Sequence, residues 1–598
     1  MSGCTAGHAF ALFENNLQTP GHAYLLETCL AELSLDAGND PGGFFGAIQN
    51  ARDSGHWVAL AADYELGAML EPALSALRFE TGKQVAKAWV FASCRELQGD
   101  ALEAWWADQL AALTPQARDT GILHLEPGWS EARHAKAVGR ILEYIHAGDC
   151  YQVNLTFPLE GHAYGSPLAL FAQLRASQAV AHGALIQDGK RWILSRSPEL
   201  FVERRGDQLT CRPMKGTAAR HEDPERDRAS ADALRASTKE RAENLMIVDL
   251  IRNDLGRLAP PGGVKVERLF ELESYRSVFQ LTSSISARPV DAEFAQILPA
   301  LFPCGSITGA PKIRAMQIID ELEDVPRELY CGALGWLAPD RDFSLSVPIR
   351  TLMLEADGAC RLNVGSGIVA DSEPAAEYRE CTAKTRFARE PSAQLKLIET
   401  LLWDGSCFPR IKGHLNRLRH SASALKFKID LTEVDAQLNN LAALLTSAPA
   451  RVRLQLSRDG RVEFESSALE PLPMQNFFAL ADWQLDPDDA RLAHKTTARS
   501  FYNTALQGAL AEGLFDLVFC NRRGELAEGT RSNLFVEHNG QLLTPALRCG
   551  VLPGVLRGEL IASGHAKESI LHPEDLIAAE RIWLGNALRG LVKVELRR

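Results

Sequence analysis

The polar, proline-bearing stretch Ala388-Arg-Glu-Pro-Ser-Ala-Gln394 constrains this chain more than any other feature, because the motifs on its two sides have nothing in common. No internal repeat and no low-complexity tract links the two halves. At 598 residues the chain is too long for one core, and about three or four folding units are expected. The expected divisions are 1–120, a catalytic region 121–388, a linker 389–394 and a second module 395–598. A net charge of −12 argues against a nucleic-acid scaffold, which needs a concentrated basic face. The first ten residues lack the basic and apolar regions of a signal peptide, and no apolar run reaches the ~18–20 residues of a membrane span. The 12 cysteines are scattered, without a C-x-x-C pair, which predicts reduced thiols in a cytoplasmic protein and no zinc site.

Apolar runs at Trp57–Ala62 and Ala88–Ala92 predict strands, and helices are expected at Ala23–Leu33 and Ala101–Leu113. A helix over Glu131–Ala147 should stop at Gly148-Asp149 and lead into a strand from Tyr151 to Thr156. Strands and helices then alternate to about Phe387, and a new strand-like run opens at Leu397–Trp403.

The chemistry-bearing residues of the first half gather around Lys215, in Cys-Arg-Pro-Met-Lys-Gly-Thr (211–217), and Glu199, sixteen positions earlier in Ser-Arg-Ser-Pro-Glu-Leu-Phe-Val. A lysine beside a Gly-Thr turn with an acid one strand away can set a nucleophile against a leaving-group acid; alone it reads as a surface lysine in a hairpin. The helical stretch 239–257 puts Glu240 and Glu243 on one face, and 377–384 aligns Glu377, Glu380 and Lys384. Carboxylates on two helices can share a hard cation such as Mg²⁺, although such faces are commonly solvated ion pairs. Between them lie Pro303-Cys-Gly-Ser-Ile-Thr-Gly-Ala-Pro-Lys312, Arg327-Glu-Leu-Tyr-Cys-Gly-Ala-Leu-Gly-Trp336 and Val347-Pro-Ile-Arg-Thr351. These offer Thr308, Gly309, Tyr330 and Arg350 to a ligand, the arginine as a carboxylate grip.

In this order the segments resemble the chorismate-utilising enzymes over roughly 120–388: anthranilate synthase, isochorismate and salicylate synthases, and aminodeoxychorismate synthase component I. The resemblance implies that Glu243 and Glu380 hold Mg²⁺ and that Gly216, Thr217, Thr308, Gly309, Tyr330, Arg350, Gly367 and Lys384 line the substrate site. It also implies that Glu199 protonates the departing C4 hydroxyl. Lys215 selects the branch. Anthranilate synthases carry alanine there, whereas aminodeoxychorismate synthases commonly carry a lysine proposed to attack C2. Gln152 stands where the water-adding members keep a base lysine. Two departures are Gln280, where many members have histidine, and Gly365-Ser-Gly-Ile-Val in place of Gly-Ala-Gly-Ile-Val. That last stretch also fits a loose dinucleotide pattern, but Pro374 follows too soon for the required helix.

In the second half Lys495, in Ala-His-Lys-Thr-Thr, is followed thirty-three residues later by Glu528, in Glu-Gly-Thr-Arg-Ser-Asn. Pyridoxal 5'-phosphate needs a lysine, an acid at its pyridine nitrogen and a phosphate cradle. Arg417, Asn586 and the backbone of a helix beginning near Val555 and Leu556 can form that cradle. The ordered set resembles the class IV aminotransferase-like enzymes across about 395–598, a family that includes branched-chain and D-amino-acid transaminases and aminodeoxychorismate lyase. The resemblance implies Lys495 as Schiff-base lysine and proton shuttle, Glu528 at the pyridine nitrogen and Arg417 on the phosphate.

The implied fold class is α+β: a β-sheet sandwich with outer helices, then a two-subdomain α/β module. The implied function is two-step, amination of chorismate and elimination of pyruvate to give 4-aminobenzoate, with Mg²⁺ and pyridoxal phosphate as cofactors. An anthranilate synthase fused to a class IV transaminase is the rival, and a ligand sensor with decayed sites the non-enzymatic one. No glutaminase signature is present in the sequence, so ammonia is expected from solution or from a separate amidotransferase subunit. Oligomeric state, with a homodimer through the second module as one expectation, is left open.

Overall fold

The computed structural model describes residues 9–597 except 75, 76, 78–80, 190, 276, 277, 446 and 447. Residues 1–8, most of the segment read for a signal peptide, lie outside the described residues. The chain forms two compact units, and they are not divided at one point of the sequence. The first comprises residues 1–109, 126–160 and 171–387; the second comprises 110–125, 161–170 and 388–598.

The first unit is built on one extended antiparallel sheet system. Its longest pairing joins the strands His22–Asp36 and Gln84–Gln98, with Phe10–Asn15 on the other edge of His22–Asp36. The helix expected at Ala23–Leu33 is therefore a strand. Its leucines and glutamates favour a helix locally, but two neighbouring strands satisfy its backbone, and packing overrides propensity. Ala101–Leu113 does become a helix, Asp100–Ala111, and Glu131–His146 is another, capped by the Ser130 side chain. The core gathers Phe13, Leu26, Trp89, Phe91 and Ile186. Fully burying such side chains contributes about 1.5–3 kcal/mol each.

Two features position the first site. The strand Met214–Ala219 pairs with Val278–Ala287 and breaks register between Lys215 and Thr217. The helix Thr238–Gly256 packs across these strands, while the helix Pro374–Lys384 packs on the strand Ala359–Ile368.

In the second unit three antiparallel strands, Leu397–Trp403, Ala450–Leu456 and Val462–Ala468, pack against the helices Ile411–Ala424 and Leu431–Leu444. A mixed eight-stranded sheet follows, with Phe477–Leu480 parallel to Asp516–Cys520 and to Gly590–Leu596. The polar stretch 388–394 is not an extended linker. Residues 388–393 lie within the short helix Arg386–Ala393, with Pro391 inside it.

Candidate functional sites

In the first unit Glu199 is buried, and Ser306 Oγ donates to its Oε1 at 2.7 Å. Burial pushes the Glu199 carboxyl up to about 7, against the lowering influence of Ser306 and of the Lys215 and Lys384 charges. Lys215 therefore lies within electrostatic reach of Glu199. Its amine sits against the backbone of Gly367, where a β-carbon would come within 3.0 Å of Nζ and 3.2 Å of Gln152 Nε2. Gly216 has φ of +85° and faces the Glu240 carboxylate, which a β-carbon there would approach to 2.9 Å. Glycine at both points lets the lysine strand, the Gly367 strand and the acidic helix converge.

Glu243 and Glu380 stand on the two helices described above. Burial raises Glu243, and Lys215 and Lys239 oppose that rise. Burial would also raise Glu380, but Lys384, paired with it at 2.8 Å, together with Lys215 and Lys239 brings it below its ordinary value. Lys384 also donates to the Gly365 carbonyl at 2.9 Å, which ties the helix to the strand carrying Gly367. Among the described residues no three His, Cys, Asp or Glu side chains close on a common point. Glu243 and Glu380 share the influence of the Lys215 and Lys239 charges, and carboxylate oxygens of this kind suit Mg²⁺, whose other positions water and substrate oxygens fill, better than zinc.

The remaining expected positions divide. Tyr330 is buried, with its hydroxyl held far above its ordinary range by burial. Arg350 adopts φ of +52°, a left-handed conformation costly for a non-glycine residue, and its guanidinium is lowered by burial beside Tyr275 and Tyr330. Thr217 lies opposite Gln280 across the strand pair. Thr308 is buried, and its hydroxyl returns to the carbonyls of Cys304 and Gly305 at 3.1 and 3.2 Å, while Gly309 pairs with Val153. Gln152 has neither side-chain polar atom hydrogen-bonded although it is fully buried. Ser306 was not singled out by the sequence reading, although it lies within the quoted Gly-Ser-Ile-Thr motif.

The second unit holds a cavity of about 470 Å³, lined among others by Arg417, Lys495, Glu528, Val555 and Asn586. Enclosure there lowers the Lys495 amine to about 7, assisted by the Arg499 and Arg417 charges. Burial raises Glu528 to about 7. Glu528 accepts from the Tyr502 hydroxyl at 2.9 Å and from the Leu552 backbone at 2.9 Å. Arg417 is already committed on two sides: its Nε and Nη2 grip Glu399 at 2.9 and 2.6 Å, and Nη1 reaches the Pro553 carbonyl at 3.3 Å. Burial would raise Glu399, yet the Arg417 charge and the His414 and Arg417 hydrogen bonds hold it at about 2. Glu399 was missed because, in sequence, it is the one charged residue inside an apolar strand.

The helix Val555–Ala562 begins at the cavity wall, with Val555 and Leu556 in its first turn. Asn586 caps its own turn by accepting from the Leu588 and Arg589 backbones. A lysine that favours its free amine, a buried acid, a helix N-terminus and an orphaned His414 Nε2 around one cavity fit pyridoxal phosphate.

Residues 40–390 match the family described as chorismate binding enzyme, and residues 396–596 match amino-transferase class IV. Aminodeoxychorismate synthase component 1 of Klebsiella aerogenes is 45% identical over 252 residues, 42% of this chain and 56% of that protein. Anthranilate synthase component 1 of Streptomyces coelicolor is 42% identical over 285 residues, 46% of this chain and 54% of that protein. The chain thus spans little more than half the length of these curated relatives. The solved structure of anthranilate synthase component I from Streptococcus pneumoniae shares 25% identity at a TM-score of 0.53, covering 62% of this chain and 92% of that one. No helix among the described residues is long and apolar enough to cross a membrane. The chain belongs to the chorismate binding enzymes and carries a class IV amino-transferase domain over residues 396–596.

Proposed function

We propose that the first unit aminates chorismate to 4-amino-4-deoxychorismate and that the second eliminates pyruvate from it to give 4-aminobenzoate. The observation that carries this reading is Lys215, whose amine stands at Gly367 within reach of the neutral-leaning acid Glu199. In the proposed step the Lys215 amine bonds to C2 of chorismate as the C4–O bond breaks, and the leaving hydroxyl departs as water with the Glu199 proton. Ammonia then bonds to C4 and the lysine leaves, restoring the ring double bonds. Glu243 and Glu380 would hold Mg²⁺, which neutralises substrate carboxylate when bound. Arg350 and Tyr330 would orient the substrate carboxylate. Ammonia comes from solution or from a separate glutaminase.

In the second unit pyridoxal phosphate, when bound, supplies an electron sink. Lys495 takes the proton from the ring carbon that bears the amine and returns a proton as the enolpyruvyl C–O bond breaks. Glu528 would face the pyridine nitrogen, and the first turn at Val555, with Asn586 and Arg417, would hold the phosphate. The anthranilate synthase relatives favour a second reading, amination at C2 beside an unrelated transaminase. Lys215 separates the two. Lys215→Ala is expected to slow release of 4-amino-4-deoxychorismate from chorismate and ammonia by at least about 10²-fold, roughly 2.7 kcal/mol of barrier. Amination by the variant at the wild-type rate would rule out the nucleophile.

A further inference from the structure

We propose that Asp119 and Gln116, which lie inside the chorismate-binding sequence, are positioning residues for the second unit's lysine. The proposal rests on the reading of Lys495 as the cofactor lysine. Residues 110–125 and 161–170 fall within the 40–390 match, yet they pack as part of the second unit.

Lys495 lies on a short connection between the turn Ala490–Ala493 and the helix Ser500–Ala511. One flank of that connection is tied to the neighbouring strand. The Ile398 N–H donates to the Lys495 carbonyl at 2.8 Å, and the Thr497 N–H donates to the Lys396 carbonyl at 2.9 Å.

Both ends are held by Asp119. Its Oδ2 accepts from the Ser500 backbone N–H at 3.0 Å, at the start of a helix whose own N-cap, Arg499, provides no side-chain cap. The same oxygen pairs with Arg491 at 3.2 Å. Asp119 thus bridges a residue four positions before Lys495 and one five positions after it.

Arg491 is itself 2% exposed, pairs with Asp489 at 2.7 Å, donates to the Gln116 carbonyl at 3.0 Å and stacks over Tyr164 at 4.3 Å. Gln116, also 2% exposed, donates to Asp489 at 2.9 Å and accepts from the Asp486 N–H at 2.6 Å. A buried guanidinium flanked by two carboxylates and a ring face restrains the loop that must present a single amine. The second unit's site is therefore braced by sequence belonging to the first family.

The test uses the full chain with added pyridoxal phosphate, comparing wild type, Asp119→Ala and Asp119→Asn; the asparagine keeps a cap acceptor and removes the charge. Amide hydrogen exchange across 490–503 should speed up by about tenfold or more in Asp119→Ala, with the sheet 516–596 unchanged and Asp119→Asn intermediate. Turnover of supplied 4-amino-4-deoxychorismate should fall about tenfold in kcat with KM little altered, while chorismate amination is unaffected. Unchanged exchange at 490–503 overturns the proposal, and so does acceleration spread evenly over the unit, which would make Asp119 a general stabiliser. Gln116→Ala provides the same readout should Asp119→Ala fold poorly. Absence of lysine-bound cofactor absorbance in the wild type would instead overturn the reading of Lys495.

Discussion

Glu199 and Lys495 are driven by one force in opposite directions: burial raises the carboxyl and lowers the amine, and both come to about 7. For Glu199 the sign is direct. Below about 7 the acid is protonated and can deliver its proton to the leaving hydroxyl; as pH rises through that value the proton is lost, so chorismate amination should decline on the alkaline side. Glu199→Gln should lower the rate by about 10²–10⁴-fold, the usual range for a general acid. Ser306 lowers Glu199 by donating to it, so Ser306→Ala should move the alkaline decline to higher pH. A decline that stays in place, measured as kcat/KM against pH, would separate Ser306 from the acid. Lys215, Glu199, Lys495 and Glu528 stand out in the sequence as candidates because each sits in a short ordered motif. Ser306, Glu399 and Asp119 were not ranked, because their partners lie 107, 18 and 381 positions away and only folding brings them together.

At the scale of elements, the helices Thr238–Gly256 and Pro374–Lys384 carry Glu243 and Glu380, the proposed ligands of the cation. Glu243→Gln or Glu380→Gln should raise the Mg²⁺ midpoint for chorismate turnover by about tenfold or more, each tenfold being worth about 1.4 kcal/mol of binding. Unaltered Mg²⁺ titrations in both variants would remove these residues from the metal. The helical spacing of both pairs was readable from the sequence, and so was the strand Leu397–Trp403, because period and length agree there. His22–Asp36 was misread because its run of leucine and glutamate carries a helical signal, while its conformation is set by partners up to 76 positions away. Local sequence does not encode the pairing register that decides such a strand.

At the scale of the molecule, two family matches meet near residue 390, but the packed units interleave, with 110–125 and 161–170 belonging to the second. A linear reading of motifs assigns function to segments and is blind to a segment that serves the other unit. Lys495→Ala should leave amination intact and cause 4-amino-4-deoxychorismate to accumulate, and borohydride should no longer fix cofactor to the chain. Formation of 4-aminobenzoate by that variant at the wild-type rate would return the second unit to the transaminases. The most direct measurement is product analysis of the wild-type chain given chorismate, Mg²⁺, ammonia and pyridoxal phosphate. The account predicts 4-aminobenzoate and pyruvate in equal amounts. Anthranilate with pyruvate, and no 4-aminobenzoate, would contradict it.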